Sequence, residues 1–332
     1  MSRGTVPTSG ARVVGAIICA ALALIELVWV IRDIQDVGLH DTVWTWSGAM
    51  LPGQHHPLLA TAASDVVLLV VYIVVCLTSG KPAGGAALVT AAALTLAYRT
   101  PTVWIYSADW TKGAPHRTWL LLTGIAGVVG AIAMIITVIA GRAAVSDTSP
   151  GVPPAPPRTG PAVFAGVLLA ILGLVSAAWQ VYDIRTFSSD TYGTRSYENL
   201  FTGKYSIGAL LGTPPGWNGW VTAVLCLLTA VQAFVRTPLA RTMGMALGWA
   251  LAVFGAVVLT LYKTLGLFTF DDRSTSETLE LLTVLLETAV GVLTFLLLML
   301  PDRGRTAAGV PGGQAPAQEY GDWGPPAAPK DR

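Results

Sequence analysis

Charged residues are scarce in this chain of 332 residues. They make up 12% of it, whereas a soluble domain is typically about a quarter charged. Hydrophobic residues make up 53%, so the composition excludes an ordinary soluble domain and is typical of an integral membrane protein. The formal net charge of +1 provides no basic surface, and we expect no nucleic-acid partner.

Cysteine is also scarce, and motifs for known chemistry are lacking. The three cysteines, Cys19, Cys76 and Cys226, lie in apolar stretches without the spacing of a disulfide framework or a zinc site. The sequence contains no phosphate-binding loop, no His-Glu-x-x-His motif and no Gly-x-Ser-x-Gly motif. We therefore expect no cofactor and no metal, and nothing in the sequence indicates an enzyme.

The chain does contain eight apolar stretches long enough to cross a bilayer. A helical span needs about 20 apolar residues, and the stretches lack the alternation of barrel strands. They cover residues 12–32, 58–79, 84–105, 118–141, 162–184, 219–236, 240–264 and 277–300. The sequence therefore predicts an all-α integral membrane protein with eight transmembrane helices in the lipid bilayer.

Four short matches recur in the same order in the two halves of the chain. They pair Trp29–Ile34 with Trp179–Ile184, Lys81-Pro82 with Arg236–Pro238, Tyr98–Thr100 with Tyr262–Thr264, and Thr118–Thr123 with Thr278–Thr283. Aromatic and charged residues end membrane helices in any case, but the shared order favours a duplicated four-helix module. An even number of spans gives both copies the same orientation, as in parallel-repeat transporters.

These matches divide the chain into five segments. Two four-helix membrane modules, 12–141 and 162–300, are joined by the Pro-rich linker 142–161. Residues 1–11 form the N-terminus, and the tail 301–332 is rich in Pro, Gly and Ala. Such a linker favours extended polyproline II structure, and such a tail buries too little surface to fold, so we expect it to be disordered.

The basic residues near the span ends predict the orientation. Lys81, Arg236 and Arg241 fall in short turns that contain no acid, and the positive-inside rule assigns such turns to the cytoplasm. Both termini and the linker are then cytoplasmic. The abundance of Ala, Gly, Val, Pro and Arg is typical of a high-GC bacterial proteome, so we expect the bacterial plasma membrane.

Ionisable residues inside the predicted spans are the candidate functional residues, because charges in lipid are costly. Glu287 lies deepest, and Asp65 and Glu26 lie in the outer half of the predicted membrane. One interpretation is a polar cavity in which these acids bind a proton or a cation. The alternative is structural, with Arg99 as the counter-ion that joins helices.

The candidate acids are not repeated between the modules, since Glu287 aligns with Gly127 and Glu26 with Ser176. Any site that they form is therefore asymmetric. The charged pairs that do recur are interpreted as scaffold anchors at the outer surface. They are Arg99 with Lys263, and Asp33 with Asp183.

Two functional hypotheses follow. The first is a transporter-like protein, exporting a small molecule in a proton-coupled reaction along a pathway between the modules. The second is a non-catalytic membrane partner or regulatory subunit that binds another protein through its loops or tail. Transport predicts that Glu26, Asp65 and Glu287 share one hydrated cavity, whereas a dry interface with paired acids favours the partner hypothesis. Neither the substrate nor the oligomeric state follows from the sequence.

Overall fold

Helices make up nearly all of the structure, a computed structural model that describes residues 5–48, 58–144, 157–187, 196–204, 206–268 and 274–300. Within these ranges the α-helices are α1 (Ser9–Val37), α2 (Leu39–Trp46), α3 (Ala63–Thr78), α4 (Gly84–Ser107), α5 (Arg117–Ala140), α6 (Thr159–Thr186), α7 (Tyr197–Thr202), α8 (Pro215–Phe234), α9 (Pro238–Thr264) and α10 (Thr275–Met299). Strands β1 (Thr5–Pro7) and β2 (Arg142–Ala144) pair antiparallel. All described residues belong to one unit, Met1–Leu300, and the predicted disordered tail lies outside them.

Six of these helices are long and apolar enough to cross a membrane, namely α1, α5, α6, α8, α9 and α10. Their outward faces carry large apolar side chains, and on α1 Ile17, Leu24 and Val28 are 62%, 62% and 64% exposed. A continuous apolar surface of this kind fits hydrocarbon rather than water. The chain is therefore a helical, multi-pass membrane protein.

The second predicted span, 58–79, is wrong at its start. The helix α3 begins at Ala63 and has 16 residues, and the non-helical residues 59–61 before it are buried. The third predicted span corresponds to α4, which contains Arg99 and Pro101. Because α4 contacts α1, α3, α5, α8 and α9, protein rather than lipid surrounds these two residues.

The helices of the two halves pack in the same pattern. In the first half α1 contacts α3 and α5, and α4 contacts α3 and α5. In the second half α6 contacts α8 and α10, and α9 contacts α8 and α10. Between the halves, α4 packs on α9, with the rings of Tyr98 and Phe254 5.7 Å apart. The helices α4 and α9 therefore occupy equivalent central positions.

Two buried non-helical segments meet where the halves join. The backbone N–H of Leu210 donates to the carbonyl of Leu59 at 2.9 Å, and that of Leu211 donates to the carbonyl of Ala60 at 2.7 Å. Each segment directly precedes the second long helix of its half, α3 or α8. Their sequences also match, as Leu-Leu-Ala-Thr at 58–61 and Leu-Leu-Gly-Thr at 210–213.

Candidate functional site

Arg99, in the middle of α4, is the largest fully buried side chain in the described structure. Its Nε and Nη2 donate to the two carboxylate oxygens of Glu26 at 3.0 and 2.5 Å. Nη2 also donates to Asp65, and Nη1 donates to the carbonyl oxygen of Leu211 at 3.3 Å. The two-pronged pairing with Glu26 is the strongest geometry for a guanidinium and a carboxylate.

Three helices and one loop position this network. Glu26 comes from α1, and Asp65 is the third residue of α3, where it also accepts a hydrogen bond from the backbone N–H of Ala62. An acid suits this place because the first turn of a helix has free N–H groups. Gly127 of α5 lies against Arg99, since a Cβ there would be 2.9 Å from Arg99 Cγ.

The network is closed. Arg99, Glu26 and Asp65 are 0%, 3% and 0% exposed. A buried ion pair of this kind is strongly destabilised when one partner is removed, because the other charge is then left uncompensated. The arrangement therefore links α1, α3, α4 and the segment around Leu211. This agrees with the structural interpretation of these residues, in which Arg99 is a counter-ion that joins helices.

The prediction that Arg99 and Lys263 are equivalent anchors at the outer surface is wrong. Arg99 is fully buried, whereas Lys263 is exposed. Tyr98, beside Arg99, faces Phe254, and Lys263 lies about 13 Å further along α9 than Phe254. The physical reason is that α4 is enclosed by protein at Arg99, while the end of α9 reaches the surface.

The matched acids Asp33 and Asp183 also differ. Asp33 is buried, and its carboxylate accepts from the backbone N–H groups of Ala60 and Thr61 at 3.0 and 2.7 Å. Asp33 therefore holds the non-helical segment before α3 in place. Asp183 is only half-buried, so the expectation of equivalent surface anchors is wrong for this pair too.

Glu287 lies apart from the Arg99 network. It is half-buried in the middle of α10, and it has neither a hydrogen bond nor an ion pair with any residue that the structure describes. Its carboxylate interacts electrostatically with the phenol of Tyr98 in α4 and with the thiol of Cys226 in α8. The structure thus brings Glu26, Asp65 and Arg99 together and leaves Glu287 near the junction of the halves.

Each half has a cleft on its flank, beside a tryptophan–threonine hydrogen bond. Trp29 donates to Thr123 at 2.9 Å in the first half, and Trp179 donates to Thr283 at 2.9 Å in the second. The adjoining clefts have volumes of about 460 and 450 Å³. None of the three candidate acids lines either cleft.

A hydrogen-bonded cluster connects the short helix α7, which lies outside the candidate spans, to α6 and α8 of the second half. The hydroxyl of Tyr197 in α7 donates to Gln180 Oε1 at 3.0 Å and accepts from Trp220 Nε1 at 2.7 Å. Burial raises the pKa of Tyr197 above its ordinary value, although the bond from Trp220 acts in the opposite direction. The phenol therefore stays protonated and can donate.

The paired segments around Ala60 and Leu211 were not predicted, although the Leu-Leu-x-Thr repeat before α3 and α8 is a sequence signal for them. Among the described residues, no three His, Cys, Asp or Glu side chains are grouped so as to hold a metal ion. No protein-family model, curated protein or solved structure matches this chain.

Proposed function

We propose that this chain is a transporter-like protein of the bacterial plasma membrane in which Glu287 binds a proton or a cation during export of a small molecule. The observation that carries the proposal is the carboxylate of Glu287 in the middle of an apolar helix, without a hydrogen bond or ion pair in the described ranges. Ionisable groups within membrane helices are costly, and they mark ion and proton pathways. The interactions of Glu287 with Tyr98 and Cys226, which belong to different halves, support a pathway at their junction.

We further propose eight transmembrane helices in two parallel four-helix modules. The same helix contacts in both halves and the recurring tryptophan–threonine bond support a duplication. The shortness of α3 is no obstacle, because 16 helical residues span about 24 Å and the extended residues 58–62 add about 16 Å. Non-helical backbone is tolerated in a membrane where protein surrounds it.

In this proposal the termini and the linker are cytoplasmic, as the basic turns at Lys81, Arg236 and Arg241 predict. Arg99 serves as the counter-ion of Glu26 and Asp65, and their closed pairing supports a structural role for both acids. Glu287 is then the leading proton or cation site, and the other two acids belong to the fixed scaffold.

Proton flux into liposomes that contain the full chain tests the proposal. We expect an imposed membrane potential to drive flux through the wild type. Replacement Glu287→Gln should abolish that flux, because the amide keeps the shape of the side chain but does not exchange a proton in the same way. The matched control is Glu280→Gln on the same helix, where the exposed carboxylate accepts a hydrogen bond from Tyr262 at 2.7 Å.

The control should retain wild-type flux. Flux that persists in Glu287→Gln would remove this residue from the pathway. Absence of flux in the wild type, with the protein inserted in either orientation, would argue against proton transport itself.

The alternative, a non-catalytic membrane partner, is favoured by a different observation. Two of the three candidate acids, Glu26 and Asp65, are held in a closed ion-pair network with Arg99 rather than in an open cavity. This alternative predicts one protein bound at fixed stoichiometry to the full chain in native membranes. It also predicts that Glu287→Gln leaves this association unchanged.

A further inference from the structure

Two fully buried threonines of the second half have hydroxyls without a hydrogen-bond partner in the part of the chain that the structure describes. Thr229 lies on α8 and Thr294 on α10, and both are 0% exposed. The side-chain oxygen of Gln232, about one turn after Thr229, is also buried without such a partner. More than about 90% of buried polar groups bond to protein or to ordered water, so ordered water is the expected partner of these three atoms, for which the described residues offer none.

Thr294 lies on the face of α10 that carries Glu287. Glu287, Gly291, Thr294 and Leu298 follow one another at steps of three or four residues, which is the spacing of one helix face. That face packs on α9, because a Cβ at Gly248 would lie 2.8 Å from the carbonyl oxygen of Gly291. Thr294 is therefore about 10 Å along α10 from Glu287, beside α9.

Thr229 approaches the same stretch of α9 from α8. A Cβ at Gly244 would lie 3.6 Å from the methyl group of Thr229 and 3.8 Å from Leu298 Cγ. Cys226, about one turn before Thr229, carries the thiol that interacts with Glu287. The polar groups of α8 and α10 thus follow the same course, from Glu287 and Cys226 towards the C-terminal ends of both helices.

The first half has no such column at the equivalent place. In the register that matches Thr118–Thr123 with Thr278–Thr283, Met134 corresponds to Thr294. Met134 is fully buried, and its sulfur contacts that of Cys19 at 3.2 Å. Thr95, a buried threonine of the first half, donates to a carbonyl of its own helix. In the described first half the buried hydroxyl without a partner is that of Ser64 on α3, so what distinguishes the second half is a pair of such hydroxyls on two helices that both pack on α9.

We propose that ordered water along Thr229 and Thr294 carries protons between Glu287 and the inner end of α8 and α10 at Gln232. This inference rests on the proposed function, and it deepens it by naming the proton rather than a metal cation as the bound species. Each step passes a proton from one water to the next, and the carboxylate of Glu287 accepts and returns it. Hydroxyls both donate and accept, which suits a water chain, whereas a metal cation needs a larger set of oxygen ligands.

Infrared spectroscopy of the full chain in liposomes tests this inference separately from transport. The carboxyl band of Glu287 is assigned by its loss in Glu287→Gln, at a pH at which the band is present. Its rate of exchange is then followed after transfer into D₂O. We expect Thr229→Val with Thr294→Val to slow the exchange by about tenfold or more, because valine keeps the shape but offers no partner to water.

Two variants serve as controls. Thr260→Val removes a hydroxyl of α9 that bonds within its own helix at 2.8 Å, and exchange in it should match the wild type. Thr229→Ser with Thr294→Ser keeps both hydroxyls and should also match, even if the valine pair lowers stability.

Unchanged exchange in the valine pair would overturn the inference, and so would slow exchange in the serine pair. A shift of the band on addition of Na⁺ at fixed pH would overturn the assignment to protons. The two proposals also fail separately. Absent flux with hydroxyl-dependent exchange contradicts transport alone, whereas Glu287-dependent flux with hydroxyl-independent exchange contradicts the water path alone.

Discussion

The two halves of this molecule share a helix arrangement but bury different chemistry at the same position. In the fourth long helix of the first half, Gly127 leaves room for Arg99, which pairs with two acids. The aligned residue of the second half is Glu287, which has no partner among the described residues. The comparison teaches that the same helix arrangement holds a closed ion-pair network in one half and, among the described residues, an acid without an ion-pair partner in the other.

The difference extends towards the other end of the same helices. The first half places Met134 against Cys19, whereas the second half has Thr294, whose hydroxyl has no hydrogen-bond partner in the part of the chain that the structure describes. At this place the interior of the first half is filled by side chains that contact each other, and the buried hydroxyl without a described partner in this half lies elsewhere, at Ser64 on α3. The second half buries Thr229 and Thr294 without a partner among the described residues and also contains Glu287, so we expect function there and stability in the first half.

The largest expected effect on stability comes from removing the positive charge of Arg99 from the ion-pair network of the first half. Arg99→Met leaves two buried carboxylates without a counter-ion, and we expect a loss of about 3–5 kcal/mol in the free energy of unfolding. Denaturation by SDS in mixed micelles measures it. Lys263→Met, at an exposed site, should stay within about 0.5 kcal/mol of the wild type.

Neutralising both acids as well, with Glu26→Gln and Asp65→Asn, should recover part of this loss. An Arg99→Met variant that is as stable as Lys263→Met would mean that the network does not hold the first half together.

The next prediction compares the same substitution in both halves. Glu26→Gln breaks a charge-assisted pair with Arg99, and we expect it to cost about 2 kcal/mol. Glu287→Gln breaks no such bond and removes a half-buried charge, so it should cost less than about 0.5 kcal/mol or stabilise the protein. Thermal unfolding of the two variants in one detergent checks this. Equal losses would remove the contrast between a paired and an unpaired acid.

A smaller effect on stability is expected from filling the space that Gly127 leaves beside Arg99. A Cβ there would lie 2.9 Å from Arg99 Cγ, whereas a Cβ at Gly130 would first meet the flexible end of Leu22 at 3.2 Å. Both alanines gain about the same helix propensity. We therefore expect Gly127→Ala to be less stable than Gly130→Ala by about 1–3 kcal/mol, the cost of overpacking. Unfolding in SDS measures the difference, and a more stable Gly127→Ala would contradict the contact.

The smallest effect concerns the hydrogen bond that both halves share. Trp29→Phe and Trp179→Phe each remove the donor to a threonine, at a cost of about 0.5–1.5 kcal/mol. We expect the larger loss for Trp29, which is buried, since Trp179 is half-buried. Thermal unfolding of both variants checks the order. A loss of stability in only one of the two variants would mean that the tryptophan–threonine hydrogen bond does not stabilise both halves.

Several features of the fold follow from local sequence. The apolar stretches predict the six long helices within a few residues of their observed ends, because a run of about 20 apolar residues has few alternatives in a membrane. The start of α3 was missed, because Leu59 and Ala60 are as apolar as the helix that follows. Apolar character alone does not distinguish buried extended backbone from helix.

The sequence predicted which residues are candidates for the site, but not how they pair. The cost of charge in a membrane identified Glu26, Asp65, Arg99 and Glu287, but not which acids Arg99 binds. Pairing across three helices depends on how α1, α3 and α4 pack, and a local match such as Tyr98–Thr100 with Tyr262–Thr264 carries no information on burial.

By itself, the sequence determined that this is a multi-pass helical membrane protein and identified the few ionisable residues within its apolar stretches. Composition and the length of an apolar run are local properties, so they can be read from the sequence. The tertiary structure alone decided that Arg99 pairs with Glu26 and Asp65, while Glu287 has no ion pair with any residue that the structure describes. The physical reason is that electrostatic pairing falls off over a few ångströms in space. Residues far apart in the chain come within that range only when the helices pack.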